Sequence, residues 1–281
     1  HLIVRVYESL CQQTCQDFEW LVIDDGSTDN TREVIAQYIA EQRIAIRYIW
    51  QENGGLYTGY NTAYANITSP LNVCIDSDDF MPENAVELIR QTWNERGGEQ
   101  YAGIIGLDFY ADKLQPIGGY FPKDLNEVYL HDLYLYRIHL GDAKQVMRTD
   151  LMSHIAPQIG FPNEKDFNPI YMLLQVCDTL PLLVINENLC WVDYQKTGMA
   201  ANIFKQYVRS PHSLIKMRKM EMNLQRNTFR NLLRLNIHYV SSCLIACNKH
   251  WLKDSPKPLL TLLMAPFGFI LYLFILWKNR H

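Results

Sequence analysis

The sequence lacks both glycine-rich motifs that hold phosphates in the commonest nucleotide-binding folds. It contains no GxGxxG and no GxxxxGK[ST], which excludes a dinucleotide-type and a Walker-type phosphate loop. Its seven cysteines are scattered and never form CxxC, so they indicate neither a disulfide framework nor a zinc site and favour a reducing compartment. No secretory signal pattern opens the sequence, and we therefore expect a cytoplasmic protein.

The charges are divided unequally along the chain, although the formal net charge is only −4. Residues 1–202 carry 13 basic and 28 acidic side chains, whereas residues 203–281 carry 13 basic and 2 acidic ones. A basic tail of this kind is typical of a segment that meets an anionic partner. We expect that partner to be a membrane surface and not a nucleic acid.

Apolar runs typical of buried strands alternate with helix-like segments over the first 110 residues. The pattern predicts strands at 18–23, 44–50, 71–75 and 103–109, and helices at 1–13, 31–39, 56–66 and 82–93. Such alternation is typical of an α/β fold in which helices flank a mostly parallel sheet on both faces.

Two of the predicted strands run directly into acidic clusters. Asp24 and Asp25 follow one strand, and Asp76, Asp78 and Asp79 follow another. Open α/β sheets place their ligands at the carboxyl ends of strands. There a carboxylate can accept an N–H of a nucleotide base, and paired carboxylates can hold a hard cation such as Mg²⁺ or Mn²⁺. Helix capping at the first cluster and a polar turn at the second are the alternatives.

Three motifs in this order and spacing resemble the family 2 glycosyltransferases of the GT-A fold: LVIDDGSTDNT (21–31), QENGGLYTGYN (51–61) and VCIDSDDF (73–80). The segments at 141–152, 161–174 and 185–202 are also similar to bacterial members of the family. The resemblance therefore covers roughly residues 1–202. It implies a Rossmann-like GT-A catalytic domain at 1–202, followed by a helical extension at 203–281.

The resemblance also implies roles for individual residues. Asp76 and Asp78 would form the metal-binding DxD motif for Mn²⁺ or Mg²⁺, and Glu164 or Asp166 would be the general base on the acceptor hydroxyl. Transfer from a UDP- or GDP-sugar to a sugar or lipid-linked acceptor would then proceed with inversion. For Glu164 and Asp166 a solvated loop is the alternative interpretation. The residues that would bind the nucleotide are Asp24, Asp25, Asn53, Gly55, Asn61 and Asp76.

Three differences from the family pattern motivate a second hypothesis. The family opens with a strand ahead of the first helix, and we expect that strand to be absent here. Tyr60 stands where the family has an arginine, and Ile170 stands where related members carry an acid. The second hypothesis is a non-catalytic, membrane-associated protein that retains the GT-A fold. A sugar nucleotidyltransferase ranks lower, because no glycine-rich basic loop for a triphosphate is present.

The tail combines basic amphipathic segments with an uncharged apolar stretch. Apolar and basic positions alternate at helical spacing over 203–250, and no charge occurs between Pro258 and Trp277. Twenty apolar residues suffice to cross a bilayer core of ~30 Å, although Pro266 and Gly268 interrupt them. A kinked span, a re-entrant segment, an interfacial helix and a buried helix of a homo-oligomer are all open. We expect peripheral or anchored attachment at the inner face of the membrane.

Overall fold

The computed structural model describes residues 2–193 and 203–280. Contacts divide the chain into two compact units. The first unit comprises residues 1–53, 59–157 and 176–194, and the second comprises residues 54–58, 158–175 and 195–281. The boundary predicted at residue 202 lies outside the described residues. Residues 158–175, which the sequence analysis assigned to the catalytic domain, belong by their contacts to the unit that holds the tail.

The helices and strands alternate as the sequence predicts over the first 110 residues. The strands are β1 Glu19–Asp25, β2 Ala45–Gln51, β3 Leu71–Val73, β4 Gly103–Tyr110, β5 Glu127–Val128, β6 Ala143–Arg148 and β7 Leu182–Val192. The first seven helices are α1 Leu2–Cys11, α2 Thr31–Glu41, α3 Leu56–Asn66, α4 Ala85–Arg96, α5 Leu130–Leu135, α6 Thr149–Ile155 and α7 Ile170–Val176. The remaining helices are α8 Ile203–Arg209, α9 Pro211–Asn223, α10 Phe229–Ile245 and α11 Pro258–Arg280.

The sheet of the first unit is mixed, which corrects the expectation of a mostly parallel sheet. The strands β1 and β2 pair in parallel, and the other five form a sheet in the order β3-β6-β4-β7-β5. Within that sheet only β4 and β7 are parallel. The strand β6 lies between β3 and β4 and runs antiparallel to both. It follows the long segment 111–142 and not a simple helical crossover, and only the latter requires parallel pairing.

The core of the first unit is formed by α1 and α4 packing against the five-stranded sheet. Because β4 carries buried residues on both faces over most of its length, its sequence GIIGLDFY is an apolar run and does not alternate. A second cluster joins α1 and α2 to the parallel pair through Tyr7 and Tyr38, whose rings stack 3.7 Å apart. The buried residues of the main cluster are Val6, Leu10, Met81, Ala85, Ile89, Ile104, Val146, Leu183, Ile185 and Leu189.

The second unit contains the four C-terminal helices, as the tail pattern predicts. The helix α10 is central, because both α9 and α11 pack against it. Its buried positions include Leu235, Tyr239, Val240 and Cys243. By length and composition α11 is able to cross a membrane, and it is the one such helix among the described residues.

Candidate functional site

The first acidic cluster forms a tight turn at the end of β1, in which Asp24 is engaged by protein groups. One carboxylate oxygen of Asp24 accepts the backbone N–H of Ser27 at 2.7 Å, and the other accepts the hydroxyl of Tyr48 at 2.5 Å. Burial opposes ionisation of Asp24, but these two hydrogen bonds outweigh it and hold its pKa below the usual value. Asp24 therefore stabilises the turn, as the capping alternative proposed.

Asp25 is half-buried beside Asp24 and is oriented by the end of β2. Gln51 donates a hydrogen bond to its carboxylate at 2.7 Å, and Asn53 donates one to its backbone carbonyl at 2.7 Å. Gly26 makes this approach possible, because its φ of +82° is left-handed and a Cβ there would lie 2.8 Å from the backbone nitrogen of Asn53. The predicted residues Asp25 and Asn53 are thus in direct contact.

The second acidic cluster is a turn that begins after β3, which ends at Val73 and not at Ile75 as predicted. The backbone N–H of Asp79 donates to the carbonyl of Asp76 at 3.0 Å. Asp76 is exposed, Asp78 is half-buried and Asp79 is buried. The turn, and not the alternation of an extended strand, determines where Asp76 and Asp78 lie.

The end of this turn is fixed to the end of β7. Phe80 and Trp191 exchange two backbone hydrogen bonds of 3.1 and 2.7 Å, and their rings stack 6.4 Å apart. The guanidinium of Arg5 lies 4.5 Å above the ring of Phe80 and pairs with Asp193 at 2.7 Å. The backbone N–H of Asp193 donates in turn to Asp79 at 3.4 Å. These contacts hold the acidic turn in one position on the sheet.

Beneath the turn lies a buried ion pair that the sequence analysis missed. The ammonium of Lys144, on β6, lies 3.7 Å from a carboxylate oxygen of Asp108, on β4, and both side chains are largely buried. Burial raises the pKa of Asp108 to about 7, although Lys144 opposes that shift. Burial likewise raises the pKa of Asp79 to about 6 against the same lysine. A carboxylate inside the apolar run GIIGLDFY is the sequence signal that indicates such a pair.

Asp76 and Asp78 fit a divalent ion that takes its remaining ligands from a substrate. None of the hydrogen bonds among the described residues engages either carboxylate. Among those same residues, no group of three or more His, Cys, Asp or Glu side chains is arranged to hold a metal by protein ligands alone. Two carboxylates with the oxygens of a bound diphosphate are a common coordination of Mg²⁺, and the pair suits that arrangement.

The two candidate bases lie in the second unit, where they have different partners. The carboxylate of Glu164 is buried and accepts the backbone N–H groups of His212 and Ser213 at 2.9 and 2.7 Å. These amides belong to the first turn of α9, so Glu164 caps that helix from outside its own sequence. Asp166 accepts hydrogen bonds from Arg209 and from the hydroxyl of Ser210, both at 3.1 Å.

The remaining predicted nucleotide-binding residues, Gly55 and Asn61, occupy the start and middle of the segment that forms α3. Gly55 has a φ of +94°, and a Cβ there would lie 2.6 Å from the carbonyl oxygen of Lys165. The glycine therefore allows residues 54–58 to pack against the loop that carries Asp166. Asn61 is half-buried on α3 in the first unit. The part of 185–202 beyond Asp193 lies outside the described residues.

The sequence of the first unit matches a family model. Residues 1–130 match glycosyl transferase family 2. The chondroitin synthase of Escherichia coli is 40% identical over 86 residues, which are 31% of this chain and 12% of that protein. The chain spans less than half the length of the curated relatives it matches.

Two solved structures share the fold across nearly the whole chain. S. aureus TarS 1–349, in complex with UDP-GlcNAc, is similar with a TM-score of 0.59 and 15% identity over 93% of this chain and 75% of that one. A mannosyltransferase from Pyrobaculum calidifontis, in complex with GDP-Man and Mn²⁺, is similar with a TM-score of 0.52 and 16% identity over 99% of this chain and 79% of that one. The α/β GT-A fold with a C-terminal helical extension is thereby confirmed. The matched sequence includes both acidic turns, and residues 1–130 of this chain belong to glycosyl transferase family 2.

Proposed function

We propose that the chain is a metal-dependent, inverting glycosyltransferase that moves a sugar from a nucleotide-sugar to a hydroxyl acceptor. The observation that carries the proposal is the pair of acidic turns within the family 2 sequence. One turn presents Asp25 at the end of β1, and the other presents Asp76 and Asp78 after β3, with carboxylates that no described residue engages. A nucleoside diphosphate needs both an acceptor for its base and a neutraliser for its phosphates.

In this proposal Asp25 accepts an N–H of the base, with Asn53, Gly55 and Asn61 beside the nucleotide. The hydrogen bonds from Gln51 and Asn53 fix the carboxylate before the donor arrives, which lowers the entropy lost on binding. A uracil or a guanine ring offers a suitable N–H, so the donor is a UDP- or GDP-sugar. The structural neighbours bound to UDP-GlcNAc and to GDP-Man support both choices.

Asp76 and Asp78 hold the divalent ion, Mn²⁺ or Mg²⁺, together with the donor diphosphate. When bound, the ion supplies Lewis-acid stabilisation of the departing nucleoside diphosphate. The contacts of Phe80 with Trp191 and of Asp79 with Asp193 keep the turn in place. The protein thereby presents both carboxylates without reorganising, which is the requirement for electrostatic stabilisation of a leaving group.

Asp166 is the general base in this proposal, and Glu164 is the structural residue beside it. Asp166 takes the proton from the acceptor hydroxyl as that oxygen attacks the anomeric carbon from the face opposite the leaving diphosphate. Ser210 and Arg209 orient its carboxylate. Glu164 is committed to the amides of α9, which favours Asp166 for the chemical role.

The acceptor belongs to a growing polysaccharide or glycolipid, and the proposal includes a sugar or a lipid-linked sugar in that role. The family 2 relatives include a chondroitin synthase and a teichoic acid poly(glycerol phosphate) polymerase. The basic helices and the apolar α11 suit a location at the inner face of the membrane. A homo-oligomer formed through the tail is compatible with the same activity.

Calorimetric titration of UDP and of GDP, each with and without Mn²⁺, tests the donor site. We expect one of the two to bind only when the ion is present, because the diphosphate is repelled by uncompensated carboxylates. Asp25→Ala should weaken that binding about tenfold or more while leaving its Mn²⁺ dependence. Binding of neither nucleotide would contradict the proposal and favour the non-catalytic hypothesis.

The base is tested by comparing Asp166→Asn with Glu164→Gln. We expect Asp166→Asn to lower kcat by about 10²–10⁴ with little change in stability, because an amide cannot take the acceptor proton. Glu164→Gln should lower the free energy of unfolding by about 1–3 kcal/mol, because its NH₂ group faces backbone donors, with a smaller effect on kcat. Steady-state rates and urea denaturation of both variants give the result. The assignment is wrong if the two rate losses are reversed.

A further inference from the structure

The apolar helix α11 is not a free tail but is packed side-on along α10. Its buried residues are Thr261, Gly268 and Ile275, each seven positions from the next. This spacing places them on one narrow stripe of the helix. Since 14 residues of helix extend about 21 Å, the contact with the helical unit continues over most of the length of α11.

Close and polar contacts fix this stripe against the second unit. A Cβ at Gly268 would lie 2.5 Å from the Cβ of Val240, so the glycine permits backbone approach. Near one end Thr261 hydrogen-bonds with Asn236 and Ser255, and all three side chains are buried. Near the other end Asn279 donates to the carbonyl of Phe204 at 2.9 Å. The orientation of α11 on α10 and α8 is therefore determined.

The opposite face of α11 is a continuous apolar surface with nothing in the described chain covering it. Leu259 is 86% exposed, Ile270 63% and Leu263 62%. A patch of this extent marks a docking surface, because monomeric soluble proteins do not leave such patches in water. The large exposed side chains of this face are Leu259, Leu262, Leu263, Phe267, Phe269, Ile270, Leu273, Phe274 and Trp277.

The helix that accompanies α11 is not suited to the bilayer core. Arg230 and Arg234 are exposed on α10, and α9, on which α10 also packs, contributes the ion pair of Arg218 with Glu221 at 2.5 Å. A helix held along its length on such a scaffold cannot cross the core unless these charges enter it as well. The outer face alone is therefore available to lipid.

Charge distinguishes a lipid surface from a second copy of the chain as the occupant. Residues 203–280 contain 13 Lys and Arg but only Glu221 and Asp254. Exposed lysines and an arginine flank the apolar face at both ends: Lys253, Lys257, Lys278 and Arg280. A second copy docked on this face would bring like charges together, whereas anionic headgroups complement them. Trp277 at the end of the face suits the headgroup level.

We propose that α11 lies in the plane of the membrane, with its outer face inserted into one leaflet of an anionic bilayer and its stripe of Thr261, Gly268 and Ile275 on α10. This mode refines the membrane association that forms part of the proposed function. It also distinguishes an interfacial helix from a spanning one, which the sequence leaves open. Lys253, Lys257, Lys278 and Arg280 meet lipid phosphates at the two ends of the helix.

Flotation of the full chain with sealed vesicles tests the proposal. We expect binding to phosphatidylcholine vesicles that contain about one third phosphatidylglycerol and weaker binding to phosphatidylcholine alone. The double variant Leu263→Asp with Ile270→Asp should bind the anionic vesicles at least about a hundredfold more weakly. Leu140→Asp, at a position that is 68% exposed in the first unit, is the matched control and should bind like the unchanged chain.

A protease-cleavable peptide appended after His281 distinguishes the two membrane modes. With protein bound to the outside of sealed vesicles, we expect added protease to remove the peptide, because an in-plane helix keeps both ends on one side. Protection of the peptide would overturn the in-plane mode. Failure to bind anionic vesicles, or a dimer in light scattering that the double variant abolishes, would overturn lipid as the occupant. The double variant should retain nucleotide binding, so failure here is separable from failure of the proposed activity.

Discussion

Replacing Asp76 or Asp78 with alanine is expected to reduce transfer by about a thousandfold or more and to abolish Mn²⁺-dependent donor binding. The ion contributes several kcal/mol of stabilisation to a charged leaving group, and 1.36 kcal/mol corresponds to a factor of ten in rate. Neither side chain forms a hydrogen bond with a described residue, so their removal should not lower stability. Transfer assays at saturating Mn²⁺, with urea denaturation in parallel, measure both effects.

Asp124→Ala is the matched control for these two variants. Asp124 is an exposed aspartate of the same unit and lies outside both acidic turns, so its loss changes net charge equally but should leave transfer unaffected. Unchanged turnover in both Asp76→Ala and Asp78→Ala would falsify the metal role. A loss of activity accompanied by an equal loss of stability would instead assign the two residues to the structure of the turn.

The sequence predicts the strands and helices of the first unit well because each has a strong local signal. Apolar runs such as FEWLVI become β1, and Pro82 precedes a helix that begins at Ala85 and ends at Arg96. Strand direction carries no such signal. Nothing in the residues of β6 indicates that it enters between β3 and β4 and runs antiparallel to both, because pairing depends on long-range contacts.

The candidate site was predictable in its acidic residues but not in their partners. Asp25 and Asp76 stand at strand ends that the sequence marks clearly. In contrast, the commitment of Asp24 to Tyr48 and of Glu164 to the amides of α9 depends on side chains 24 and 48 or 49 positions away. Local pattern cannot reveal which of two adjacent carboxylates is already satisfied, since only tertiary contacts supply the donors.

Replacing Lys144 with methionine is expected to lower the free energy of unfolding by about 3–5 kcal/mol at pH 8, because it leaves Asp108 as a buried charge without a counterion. Asp108 already lacks a hydrogen bond to one carboxylate oxygen among the described residues, and its ammonium partner lies 3.7 Å away. Restoring neutrality with Asp108→Asn in the same chain should recover most of the loss. Lys123→Met, at an exposed position, should have no comparable effect.

The same ion pair predicts how stability depends on pH. Burial raises the pKa of Asp108 to about 7, above its unfolded value of ~3.9. A carboxyl whose pKa is raised on folding contributes stability that is fully present below pH ~4 and is lost as the pH rises through 7, a difference of up to about 4 kcal/mol. The metal-free protein should therefore unfold at lower urea concentration at pH 8 than at pH 5, and Asp108→Asn should flatten that dependence. If the Asn variant retains the full dependence, the titrating group is not Asp108. The Lys144→Met defect should be smallest at pH 5, where the protonated Asp108 needs no counterion.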